Sequence, residues 1–237
     1  MPPNKGKTKE VKYLFPKNFL NLSDKLRKQY YVPRPLVVLS GQIVIIEDFF
    51  SEALCDELIK SFEDQLKLET TPVVKSKDYA TRINDRCSVS DSNASTKLWD
   101  YIRQILVQDI SYEDDEIQEV KQEFDCAIGL NDLLRIYRYK KGHHFNKHYD
   151  ESVDCKISGQ ASKTKWTLLI YLTGGEEFNG GGTIFYPEDK NKSPLNVHPK
   201  KGMALLHKHG DDCLMHEGEL VRRGEKWVLR SDVAFPI

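Results

Sequence analysis

"WTLLIYLTGGEEFNGGGTIFYP", residues 166–187, is the stretch that decides how this chain folds. Apolar, β-branched and aromatic residues fill its first third, glycines crowd the middle, and a second β-rich run closes it at Gly182–Pro187. That pattern reads as strand, turn, strand. Gly180, Gly181 and Gly182 have the look of a phosphate cradle, but no Gly-Lys-Ser/Thr follows and no helical periodicity begins there. They are read as a turn, and Trp166 as a core aromatic.

The same grammar extends outward from about residue 130 to the end. LLRIYRY (133–139), LNVHP (195–199), GMALLHKH (202–209), DCLMHEG (212–218) and EKWVLRSDVAF (225–235) are short β-rich runs. KKGHH, PEDKNKSP and RRGE punctuate them. Many short strands with turn signals between them predict a sandwich or barrel. Upstream the character differs. Residues 1–35 read as a flexible lead-in ending in the breaker YVPRP. LVVLSGQIVIIEDFF (36–50) reads as two short strands separated by Ser40-Gly41. SEALCDELIKSFEDQLKL (51–68) is an amphipathic helix with Ser51 placed to cap it, and a second helix is expected over Ala94–Gln108. YATRINDRCSVSD (79–91) is strand or loop, and the acidic SYEDDEIQE (111–119) a solvated loop or helix end. The expected class is α+β in a single domain, 36–237, with helical support over 48–110 and a β core over 130–237.

Composition narrows the function classes. The 237 residues carry a net charge of −1, so no global field points to nucleic acid or anionic membrane. No apolar run approaches membrane-spanning length. The five cysteines are odd in number and form no CxxC clamp, which predicts reduced thiols in a cytoplasmic or nuclear setting. The start, MPPNKGKTKEVK, lacks the apolar core of a secretory signal, and its lysines are at most a weak nuclear address.

One polar segment stands out. In NKHYDES (146–152), His148 and Asp150 are two residues apart. On an extended strand such residues point to the same face. His216, 68 residues on, is the candidate third ligand. Two histidines and one carboxylate leave three positions of an octahedral metal open, the facial arrangement of non-haem Fe(II) oxygenases. A dicarboxylate cosubstrate in such a site needs a buried cation, because an unpaired charge there is costly. Lys226 lies ten residues after His216. Alternation puts Lys226, Val228 and Arg230 on one face and Trp227 and Leu229 on the other.

The run YKKGHHFNKHYD resembles the prolyl 4-hydroxylase branch of the 2-oxoglutarate/Fe(II) dioxygenases, with Tyr139, Gly142, His148 and Asp150 in register. IYLTGGEEFNGGGTIFYP, PKKGMALLH and HEGELVRRGEKWVLRSDVAF are similar to three further motifs of that family in the same order. ATRINDRCSVSDSNASTKLW is similar to an upstream arginine-rich region of some members. The resemblance implies a double-stranded β-helix, or jelly roll, with supporting N-terminal helices. It implies Fe(II) on His148, Asp150 and His216. It also implies 2-oxoglutarate chelating the iron and paired with Lys226, with contacts from Tyr139, Tyr171 and Thr183. O2 is the other cosubstrate, ascorbate the expected reductant, and a protein or peptide, plausibly at a prolyl residue, the expected substrate. Alkylated nucleic acid is the disfavoured alternative, since Lys226 replaces the more distant arginine of the demethylases and no basic stripe is present. A non-catalytic jelly-roll binding domain is the third reading.

The remaining polar residues are read plainly. His143 and His144 are strand-edge or loop residues, and His207 and His209 structural. Tyr149 should turn away from the ligands into packing. Arg82 and Arg86 contact substrate or make surface salt bridges. Arg230, about 13 Å along the strand from Lys226, serves the pocket rim and substrate or pairs with Asp232.

Overall fold

The computed structural model describes residues 13–26, 32–72, 80–107, 115–189 and 191–237. Two antiparallel sheets face one another. The larger runs in the order Pro35–Leu39, Ile43–Ile46, Ala204–Lys208, Gln160–Tyr171, Lys226–Pro236, Leu133–Tyr139, Asp85–Ser90, Glu69–Thr70. The smaller runs Leu195–Val197, Thr183–Tyr186, Met215–Gly218, His144–His148, Arg82–Ile83. Neighbours in space are mostly distant in sequence, as in a jelly roll. The expected α+β jelly-roll class is what the fold shows, and the opening stretch supplies a strand to each sheet.

Alternation along the central strand Lys226–Pro236 separates two interiors. Trp227, Leu229 and Val233 join the cluster between the large sheet and the helices, with Phe62, Leu98, Ile102 and Phe124. Val228 faces the other way, with Tyr137, Tyr139, Tyr171 and Phe185, into the space between the sheets. The helix layer thus seals one face of the large sheet and leaves the other to build the site.

The helices form where apolar spacing and caps agree. Helix Glu52–Gln65 starts at Ser51, whose hydroxyl accepts from the Leu54 amide at 3.3 Å. Helix Ser92–Leu106 is capped by Asp91, which accepts from the Ala94 amide at 2.9 Å.

Three segments differ from the sequence reading. The lead-in is not flexible over 13–26: helices Lys17–Leu20 and Leu22–Leu26 bury Phe19, Leu22 and Leu26 in the helical core, with Tyr13 and Phe15 beside them. Spacings of three and four residues between Phe15, Phe19, Leu22 and Leu26 give them one apolar face. Residues 1–12 and 27–31 lie outside the described residues. The acidic stretch enters a full helix, Asp115–Asp125, which buries Val120 and Phe124. The β core also begins before residue 130. Ile43–Ile46 pairs with Ala204–Lys208, and Asp85–Ser90 pairs with Leu133–Tyr139.

Candidate active site

Cross-strand pairing assembles the ligand candidates. His148 ends its strand directly opposite His216, with ring centroids 4.2 Å apart. Asp150 follows two residues later, where its backbone carbonyl accepts from the Gly210 amide and its own amide donates to the Cys213 sulfur. Ligand atoms of His148, Asp150 and His216 lie within 4.8 Å of one another. Tyr149, between them, points away as expected but into solvent, being 61% exposed rather than packed.

The imidazole tautomers test whether a cation fits. Nδ1 of His148 sits 2.8 Å from the Asn146 carbonyl, and Nδ1 of His216 2.9 Å from that of Leu214. A carbonyl only accepts, so each Nδ1 carries the proton and each Nε2 keeps its lone pair. Those Nε2 atoms face the Asp150 carboxylate at 3.7 and 3.8 Å. Two lone pairs aimed at an anion are unfavourable until a cation lies between them. Backbone bonds on Nδ1 also orient a histidine for metal binding. The donor set, two nitrogens and one carboxylate, suits iron(II) with open positions.

Electrostatics keep the site ready for a cation. Burial tends to raise the Asp150 pKa, but the Arg230 guanidinium outweighs it and holds the carboxyl well below its usual range. Burial lowers His148 to about 3, with His216 adding to the effect, and burial also lowers His216. Both imidazoles are therefore neutral donors at neutral pH.

Arg230 has a further partner: it is half-buried, and its guanidinium reaches the two Asp150 oxygens at 3.1 and 3.2 Å. It also pairs with Asp232 at 3.2 Å, as the sequence allowed, and Arg135 holds that acid from the other side. Asp150 thus sits at the Arg230 end of the cavity. Thr167, which the sequence did not single out, donates to Asp150 at 2.9 Å. His209 is bound between Thr167 and Thr164, a structural role.

Lys226 lies at the opposite end. It is 5% exposed, and its ammonium donates to the Gly181 carbonyl at 2.6 Å. Among the described residues it forms no salt bridge. Burial lowers its pKa to about 7, a shift that Glu219 offsets only in part. Tyr139 is its cross-strand partner. One cavity is lined by Lys226, Tyr139, Thr183, His148, Asp150 and His216, with Arg82 and Arg230. Tyr171 stands behind this lining, its hydroxyl 2.8 Å from that of Thr183.

The two upstream arginines part company. Arg82 faces the cavity, its guanidinium 4.2 Å from the Tyr137 ring centre and 4.7 Å from that of Phe145. Arg86 is exposed and does not line the cavity. His207, read as structural, lines the cavity too. Its signal was the alternation that puts Leu205 and His207 on one face.

Comparison with known proteins agrees with this geometry. The family model of the 2OG-Fe(II) oxygenase superfamily matches residues 134–231. The chain is 24% identical over 216 residues to a probable prolyl 4-hydroxylase 9 of Arabidopsis thaliana, covering 82% of this chain and 69% of the relative. Its fold is similar to a viral collagen prolyl hydroxylase from Paramecium Bursaria Chlorella virus-1, with a TM-score of 0.53 and 22% identity over 88% of this chain and 97% of that one. It is also similar to a prolyl hydroxylase from Trichoplax adhaerens solved with a hypoxia inducible factor peptide, with a TM-score of 0.55 and 12% identity over 93% and 91% of the two chains. Over residues 134–231, which hold His148, Asp150, His216 and Lys226, the chain is similar to the 2OG-Fe(II) oxygenase superfamily, and the relative it resembles along most of its length is named a probable prolyl 4-hydroxylase.

Proposed function

We propose that this chain hydroxylates a prolyl residue of a peptide or protein, using iron held by His148, Asp150 and His216. The observation that carries the reading is Lys226: a buried ammonium without a salt bridge among the described residues, across the cavity from the two-histidine, one-carboxylate set. A buried charge of this kind needs a counter-charge. The distal carboxylate of 2-oxoglutarate supplies it while the keto-acid end reaches the metal ligands.

Bound there, Fe(II) supplies the activation of O2 that no side chain offers. In the overall reaction one oxygen atom enters the substrate and the other ends in succinate as CO2 leaves. The chain's own residues bind, orient and screen. Tyr139 and Thr183 are placed to hydrogen-bond the cosubstrate, and Tyr171 fixes the Thr183 hydroxyl. Arg230 and Thr167 hold Asp150 ionised and oriented. Arg82, free of salt bridges among the described residues, is placed to meet a substrate carbonyl. The rim offers apolar contact beside the site, where Tyr149 adjoins Asp150 and the exposed Leu220 adjoins Glu219. Such a rim suits a peptide better than a polyanion. Ascorbate would keep the iron reduced. The five cysteines are free thiols, which supports a reducing cytoplasmic or nuclear compartment.

The test is succinate formation from 2-oxoglutarate with Fe(II) and ascorbate, with and without proline-containing peptide pools. Peptide-stimulated turnover, and a gain of one oxygen on proline by mass spectrometry, are expected. His148→Ala should abolish both. Absence of even uncoupled turnover, or stimulation by alkylated oligonucleotides alone, would overturn the reading.

A further inference from the structure

A second set of donors adjoins the first and shares one residue with it. His207, Cys213 and His216 are each buried, and their ligand atoms lie within 4.8 Å of one another. The proposed hydroxylation uses neither His207 nor Cys213. The Cys213 sulfur is 3.9 Å from Nδ1 of His216. Sulfur and nitrogen bound to one tetrahedral zinc, at about 2.3 and 2.0 Å from the ion, are roughly 3.5 Å apart. Once the His216 proton moves from Nδ1 to Nε2, which takes the lone pair away from the iron side, a small side-chain adjustment brings both onto one cation.

His207 supplies the independent sign of a missing ligand. Its Nδ1 lies 3.1 Å from the Lys208 carbonyl and so carries the proton. The lone pair is left on Nε2, which is buried and has no hydrogen-bond partner among the described residues. That atom faces Asp150 Oδ2 at 3.8 Å. An unsatisfied buried acceptor costs about 1–3 kcal/mol, and the facing carboxylate makes this one worse. His207 and His216 both line the cavity, so an ion entering it meets them without any unfolding.

We propose that His207, Cys213 and His216 form a second metal site, specific for thiophilic cations such as Zn²⁺ and Cd²⁺, that shuts the enzyme down by claiming His216. Sulfur binding releases the thiol proton to solvent. Soft ions drive that exchange, while hard ions prefer the oxygen-containing set. A neutral imidazole has one lone pair, so His216 serves one set at a time. The sulfur site stands on its own geometry; the exclusion of iron rests on the proposed iron ligands.

The full chain, freed of metal, is titrated with Cd²⁺ while the sulfur-to-cadmium charge-transfer absorption is followed. The band should appear in the wild type and in His148→Ala, vanish in Cys213→Ala, and need more than roughly tenfold more Cd²⁺ in His207→Phe. Mn²⁺, a hard probe read by electron paramagnetic resonance, should be released by at least about tenfold less Cd²⁺ in the wild type than in Cys213→Ala. No band in the wild type, or an undiminished band in Cys213→Ala, would overturn the site. Equal Cd²⁺ sensitivity of Mn²⁺ in both proteins would overturn the sharing of His216. Alkylation of wild-type Cys213, mapped by mass spectrometry, needs no variant: Cd²⁺ protection supports the site and its absence refutes it.

Discussion

Lys226 shows how one buried side chain couples binding to pH. Its folded pKa is depressed from 10.5 to about 7, with burial as the main cause. A carboxylate pairs only with the charged form. Affinity for 2-oxoglutarate should therefore be full below about pH 7 and fall by close to tenfold per unit above it. Calorimetric titration in Mn²⁺ between about pH 6 and 9 checks this. Lys226→Arg, always charged, should flatten the profile. A pH-independent wild-type affinity would rule out the lysine as the carboxylate partner. Stability runs the other way. Between the two pKa values the unfolded chain binds more protons at this lysine than the folded one, so its contribution rises with pH across that window. Lys226→Met should thus stabilise the ligand-free protein below about pH 7, on the order of 1–4 kcal/mol, while losing cosubstrate binding.

Individual residues were legible in the sequence when a short-range rule governed them. His148 and Asp150 follow from strand alternation, and Lys226 and Trp227 from the same rule read on two faces. Arg230 was harder. Alternation gave its face, but its partner Asp150 lies 80 residues away, and no local pattern records that approach. His207 was obscured for the same reason, since packing between the sheets brings it to His216, whereas Cys213 lies only three residues from His216.

Among the elements, the short helices Lys17–Leu20 and Leu22–Leu26 are the informative case. Isolated helices of this length do not persist in water. In sequence these residues read as part of a flexible lead-in that ends in the breaker YVPRP. Tertiary packing decides otherwise: Phe19 is fully buried and stacks on Phe15 with ring centroids 4.6 Å apart. Phe19→Ala should cost about 3–5 kcal/mol, read by urea unfolding. A loss below about 1 kcal/mol would show that the segment is peripheral to the fold. The strands were easier to find than the helix Asp115–Asp125, whose acidic surface masks an apolar face of only a few residues.

At the scale of the molecule, the metal pocket is a place where the fold stores an unfavourable arrangement. Neutral imidazole lone pairs converge on one ionised carboxylate, and Lys226 has no counter-ion among the described residues. Ligands that relieve this bind the native state alone. Mn²⁺ and 2-oxoglutarate together should raise the melting temperature, with about 2.7 kcal/mol gained when a ligand is at 100 times its Kd. A chelator should reverse the gain, and His216→Ala should remove the metal-dependent part. An unchanged melting temperature on adding both at saturating concentration would contradict the site.

The central strand Lys226–Pro236 has a consequence for how this protein tolerates change. Trp227, Leu229 and Val233 belong to one interior and Lys226, Val228 and Arg230 to the other, the first structural and the second chemical. Substitutions there are heard on one side only, so the hydrophobic support and the pocket can drift independently. An inserted or deleted residue is different, because a one-residue slip exchanges the two faces. It would drive Lys226 into the helix layer and Trp227 into the cavity together. Within this strand, length is the inherited constraint, and composition has far more freedom.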